Sequence, residues 1–149
     1  MPFDRELVEA KLALEMIPSQ DMPSIAWDAL EAGIDGRWIR RLGALERLTF
    51  FEVAEVLPKA KAEMGLGELP AGKAALIIAK RRAREILQSE EDPLRCTRDF
   101  ESLWIRANYC DELATVGNLF DDVWIAESTG QTPAQIRKWI TEKLKELLA

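Results

Sequence analysis

The sequence predicts an all-α protein, a compact single-domain array of seven to eight mostly antiparallel helices covering residues 1–149. Three observations predict it. No segment sustains the period-two alternation of β-branched and polar residues that a half-buried strand needs, and no Asn-Gly or Asp-Gly pair joins two such runs. Apolar residues recur instead at three- and four-residue spacings. Between these stripes stand the proline, glycine and Ser/Thr/Asp residues that start and stop helices. Short loops favour antiparallel neighbours, and no fixed period in helix length or composition marks a solenoid.

Taken in order, Phe3, Leu7, Ala10, Leu14 and Ile17 share one arc of a first helix that Pro18 should end. A second helix buries Ala26, Ala29 and Leu30 and stops at Gly33, a left-handed cap with Ile34 folding back. Asp35 is expected to cap a third helix carrying Ile39, Leu42 and Leu45. Thr49 and Glu52 form a capping-box pattern ahead of a fourth, with Phe50, Val53, Ala54, Leu57, Ala60 and Met64 inward and a kink at Pro58. Met64-Gly65-Leu66 repeats the glycine cap. The fifth helix, Pro70 or Ala71 to Gln88, carries Leu76, Ala79, Ala83, Ile86 and Leu87 on one face; Ile77 and Ile78 fall off it, so the first half should be covered on more than one side and this helix should be central. Asp92 and Pro93 open a sixth with Phe100, Leu103, Trp104 and Ala107 inward. After Asn108-Tyr109 a seventh should bury Leu113, Val116, Phe120 and Val123. Glu127 to Gln131 forms the last loop. Thr132, Pro133 and Gln135 cap a final helix with Ile136, Trp139 or Ile140, Leu144, Leu147 and Leu148 inward.

Composition narrows the function classes. Twenty Lys and Arg against 26 Asp and Glu leave a net charge of −6, and there is no histidine. The commonest general base and the usual nitrogen ligand for zinc, copper or iron are therefore absent, and Ser-His-Asp, Cys-His and HExxH chemistry have no support. No cofactor or metal is expected. The acidic balance disfavours nucleic acid and anionic membranes as partners. Charge within Met1-Pro2-Phe3-Asp4-Arg5-Glu6 is unlike a signal peptide, and the longest apolar run is only Ala74 to Ala79, which predicts a soluble chain. Cys96 and Cys110, without CxxC spacing, suit a reducing cytoplasm.

Several motifs invite chemistry and have plainer readings. Gly67 to Lys73 matches the G-x-x-x-x-G-K spacing of a phosphate loop. Ala74 follows where Ser or Thr should hold magnesium, a helix precedes it, and Pro70 removes an amide, so an interhelix loop is the better reading. Cys96 and Cys110 lie too far apart along a helix to pair. Arg95 and Arg98 should favour a thiolate at Cys96, while Asp111 and Glu112 should oppose one at Cys110. The doublets Glu90-Glu91-Asp92, Asp111-Glu112 and Asp121-Asp122 point in diverging directions and read as solvated faces. Basic residues concentrate twice: Arg37, Arg40 and Arg41 around Trp38, and Lys80, Arg81, Arg82 and Arg84 on the fifth helix. Arg and Trp anchor interfaces more than most side chains, which makes Arg37, Trp38, Arg41, Arg81 and Arg82 the candidate partner-binding residues. The alternative is internal: Trp38 at the edge of the core, and Arg81 paired with Glu85.

The string Ala29-Leu30, Gly33, Asp35-Gly36, then Ile39-Arg40-Arg41-Leu42-Gly43-Ala44-Leu45, resembles a family of small acidic helical bacterial proteins of unknown function with the pattern A-L-x-x-G-x-D/S … L-R-x-L-A-G-L. Glu63-Met64-Gly65, the Ala79, Ala83, Ile86-Leu87 helix and Asp92-Pro93 continue it in order, over roughly the middle half of the chain. Gly43-Ala44 reverses the family's Ala-Gly order. The resemblance implies an all-α fold and no activity.

The function expected from these features is a noncatalytic protein-binding module of a bacterial cytoplasm, immunity- or adaptor-like, with a protein partner and a homodimer through the amphipathic final helix as a further possibility. The alternatives are a carboxylate- or thiol-dependent enzyme and a weak nucleic-acid binder using Lys80 to Arg84.

Overall fold

The computed structural model describes residues 2–149, all-helical, with nine α-helical segments and no strand among them. One segment is a four-residue turn, which leaves eight helices of seven residues or more. The chain, read in sequence as one domain, divides into two compact units, the first ending at Leu69 and the second Pro70–Ala149.

The first unit holds α1 (Arg5–Ala13), α2 (Met22–Glu31), α3 (Arg37–Gly43) and α4 (Phe50–Glu63). Its core gathers Met22, Ala26 and Ala29 from α2, Ile39 and Leu42 from α3, and Val53, Val56 and Ala60 from α4, closed by Met64 and Leu66. Ile39 and Leu42 are fully buried, each contributing about 2 kcal/mol by removal of apolar surface from water. Trp27 ties α2 to α3 by donating its indole N–H to the Gly43 carbonyl at 3.1 Å. Three details differ from the sequence reading. First, α1 ends at Ala13, a turn before Pro18, because Glu15 adopts a left-handed φ of 53° and the Met16 amide folds back onto the Lys11 carbonyl. Second, Asp35 does not cap α3; its carboxylate accepts from the neighbouring Gly36 amide and pairs with Arg40. Third, α4 is rotated from the expected stripe: Val53, Val56 and Ala60 are buried, while Ala54 is exposed and Phe50 is 75% exposed. Thr49 does cap α4, and the helix runs unbroken through Pro58.

The second unit holds α5 (Ala71–Gln88), α6 (Thr97–Arg106), α7 (Ala114–Gly117), α8 (Leu119–Ser128) and α9 (Pro133–Leu148), with 3-10 turns at Pro93–Arg95 and Asp111–Leu113. Within it α5 is central as expected, packing on α6, α9 and the Asp111–Leu113 turn. The buried stripe of α5 is Ala74, Ala75, Ile78, Ala79, Ala83 and Ile86, so Ile78 faces inward where Leu76 was expected, and the alanine pair widens the covered face of its first half. Asp92 and Pro93 open a 3-10 turn, and α6 begins only at Thr97. The expected seventh helix is broken at Asn118, whose amide donates back to the Ala114 carbonyl at 2.7 Å. Gly117 has no side chain because the Trp104 indole lies where a Cβ would be. The capping box of α9 is complete, and Ile140 rather than Trp139 takes the buried position.

Five helices end alike. After α1, α2, α4 and α8 one residue turns left-handed (Glu15, Gly33, Gly65 and Gly130), after α6 two do (Asn108 and Tyr109), and in each case the amide following the first of them reaches back to the carbonyl five residues before it. A Cβ at Gly33 or Gly130 would meet no atom within 4 Å, so only backbone conformation opposes a side chain there. Gly33→Ala and Gly130→Ala are each expected to cost about 1–2 kcal/mol in urea unfolding. Unchanged midpoints would show that these turns relax without cost.

Candidate functional site

The first basic cluster is built by a helix start that cannot cap itself. α3 begins after Gly36, whose extended backbone offers no side-chain oxygen, yet its first amides need an acceptor. Glu63 at the end of α4 supplies it: Oε1 accepts from the Trp38 amide at 2.6 Å and the Ile39 amide at 2.9 Å. A carboxylate there also meets the positive end of the helix dipole. Room exists only because residue 36 is glycine, since a Cβ would stand 2.5 Å from the Glu63 carboxyl group.

This anchor fixes the backbone of Trp38, whose half-buried indole packs on the core of the first unit. Three cations then gather over the ring: Lys59 Nζ at 4.0 Å from its centroid, the Arg41 guanidinium at 5.3 Å and that of Arg37 at 5.5 Å. Arg37 and Arg41, four residues apart, reach the indole from α3, and Lys59 reaches it from α4. None of the three forms a salt bridge with a carboxylate among the described residues. In a chain of net charge −6, this is a concentrated and unneutralised positive spot on an aromatic platform.

The second basic cluster is spent internally. Arg82 pairs bidentately with Glu91 at 2.6 and 2.9 Å, with Asp99 at 2.9 Å and with Glu85 at 2.8 Å. Glu85, which the sequence reading offers to Arg81, is bonded by Arg82. Arg81 is half-buried and already engaged. The bond to Glu91 raises the Arg82 pKa and correspondingly holds the Glu91 carboxyl below its ordinary value. Arg137 does the same for Asp92 through paired contacts of 3.0 and 3.2 Å, tying α9 to the Pro93–Arg95 turn.

Neither thiol is activated. Cys96 is 4% exposed, and burial, reinforced by its hydrogen bond to Glu91, pushes its pKa up to about 11, against the thiolate expected from Arg95 and Arg98. Those two arginines are exposed, and the cation that does reach the sulfur is Arg82, already committed to carboxylates. Burial also pushes the Cys110 thiol up. Asp122 is raised by burial and by Asp121 beside it, and lines an open pocket of about 410 Å³ with Trp139 and Gln131. Among the described residues no three carboxylates or thiols converge as metal ligands. The phosphate-loop spacing meets carboxylates instead of offering amides: Gly67 donates to Glu9 at 2.8 Å, and Glu112 lies where a Cβ of Gly72 would be.

The sequence reading missed Lys59 and Glu63, which enter the site from α4, more than 20 residues after Trp38. It also placed Phe50 inside. Phe50 and Phe51, 75% and 83% exposed, instead pack edge to face at 5.9 Å on the surface, where Phe50 borders a groove of about 400 Å³ with Leu12, Ile17, Met22 and Leu57.

Two outcomes follow for the ion-pair network. Glu91 and Asp92 have lowered pKa values in the folded state, so their stabilisation is present above the ordinary carboxylate range and is lost as pH falls below it. Arg82→Gln removes the Glu91 share at neutral pH, so unfolding midpoints of the variant should fall less than those of the parent between pH 5 and pH 3. With its pKa moved from 9.0 to about 11, Cys96 holds about a hundredfold less thiolate at pH 8, and native alkylation should be slower than that of the denatured chain by at least that factor. Equal rates would mean an accessible thiolate. No family model, curated protein or solved structure matches this chain, so its function rests on the chemistry of these residues.

Proposed function

We propose that this chain is a noncatalytic protein-binding module of a bacterial cytoplasm that works, in the manner of an immunity or adaptor protein, by covering or bridging another protein. The observation that carries the reading is the Trp38 platform, with Arg37, Arg41 and Lys59 drawn over it and left without carboxylate partners among the described residues. Tryptophan and arginine are the side chains that most often anchor interfaces. A pre-positioned aromatic with surrounding cations loses little conformational freedom when a partner arrives. Arg82 leaves the candidate surface, because a partner's carboxylates would have to displace three internal ones. Two thiols free of disulfides suit a reducing compartment, and among the described residues no helix is long and apolar enough to cross a membrane.

A photoreactive benzoylphenylalanine in place of Glu55, an exposed residue four before Lys59 on α4, tests this in living cells. The expected result is one discrete crosslinked protein that disappears when Arg37→Ala and Arg41→Ala are combined. Absence of any crosslink from Glu55, or a crosslink indifferent to both arginines, would count against the reading.

A further inference from the structure

The same platform says what kind of surface it fits. The first unit presents an apolar element in line with the cations: Phe51, Glu55 and Lys59 recur every four residues on the exposed side of α4, with Phe51 83% exposed. Eight residues at a rise of ~1.5 Å separate Phe51 from Lys59 by about 12 Å along the helix. A partner spanning that distance would meet positive charge at one end and an aromatic ring at the other. We propose that Arg37, Arg41 and Lys59, held over Trp38, receive the carboxylates of an acidic segment of a partner protein, and that Phe51 receives an apolar side chain of the same segment. The proposal rests on the protein-binding reading and names the partner's chemistry.

Charge complementarity selects this occupant. The three cations have no carboxylate of their own among the described residues, so an incoming Asp or Glu need not displace one. Two guanidiniums can each grip a carboxylate by paired N–H donors, and the ammonium of Lys59 adds a point charge between the helices. The electron-rich indole face keeps the three like charges close together before a ligand arrives. A nucleic acid fits less well, because its continuous negative charge would run past the spot into a chain with an excess of six acidic groups. The other basic cluster is no extension of a track for it, with Arg82 neutralised by Glu85, Glu91 and Asp99.

The test titrates the full chain with a fluorescein-labelled peptide carrying three consecutive glutamates and a leucine four residues before them, followed by anisotropy. Saturable binding at roughly 50 mM salt that weakens several-fold at roughly 300 mM is expected. Combining Arg37→Gln, Arg41→Gln and Lys59→Gln should weaken it about tenfold or more, and Phe51→Ser about threefold. Arg84→Gln, an exposed arginine on α5, should leave it unchanged. All four positions substituted in the first unit are exposed, and an unchanged helical circular dichroism spectrum certifies that the fold is kept. No binding at the lower salt, or equal binding by the triple variant, overturns the proposal. So does tighter binding of a single-stranded oligonucleotide of equal charge that the triple variant loses. If the peptide fails while the Glu55 crosslink persists and still requires Arg37 and Arg41, the acidic identity of the partner falls and the protein-binding reading survives.

Discussion

The first unit depends on one carboxylate. Glu63 closes the amino end of α3 from the far end of α4, so the same contact satisfies two otherwise orphaned amides, docks the two helices and sets where Trp38 stands. A short helix such as α3, seven residues long, has little stability of its own, and its position is inherited from what holds its ends. Gly36 is part of the same device, because any side chain there would push the carboxylate away. The cationic platform is therefore a consequence of a cap: with the Trp38 backbone pinned, the guanidiniums of residues 37 and 41 come over its ring and Lys59 reaches across from the neighbouring helix.

The second unit is organised by an arginine in the same spirit. Arg82 gathers carboxylates from its own helix, from the loop after it and from α6, while Arg137 clasps Asp92 at the head of the 3-10 turn. The two guanidiniums act at the segment that joins α5 to α6. The difference between the two basic clusters is thus one of available carboxylates. Around Arg82 they are supplied by the fold, whereas Arg37, Arg41 and Lys59 form no salt bridge among the described residues, and the Oε1 of Glu63 is bonded to backbone amides.

Much of the helix pattern was legible because helix starts and stops are local chemistry. Gly33, Gly65, Thr49 and the Thr132/Gln135 box each act within a few residues of themselves, and each stands where the sequence pattern put it, whereas Asp92 caps a 3-10 turn ahead of α6 and not the helix itself. The misreadings have equally local causes. Glu15 carries no sign that it will turn left-handed, so Pro18 looked like the terminator. Phe50 fits the stripe with Val53, Ala54, Leu57 and Ala60, but the neighbouring stripe through Val53, Val56 and Ala60 is as regular and is the one that is buried. At Asn118 a side-chain bond to the backbone interrupts what periodicity reads as one helix. Of the site, Arg37, Trp38 and Arg41 could be found from their spacing. Lys59 and Glu63 could not, because which face of α4 meets α3 is a tertiary decision, and the fate of Arg82 depended on carboxylates 9 and 17 residues away.

The repeated left-handed turn has a kinetic side. At five helix ends the chain reverses using hydrogen bonds that reach no farther than five residues, so these bends close a very short loop and need no help from distant sequence. Such turns can form and dissolve in a collapsing chain long before α3 finds Glu63, some 25 residues away. The slow event in building the first unit should then be the docking of that carboxylate, which would place the last step of folding at the foot of the aromatic platform itself.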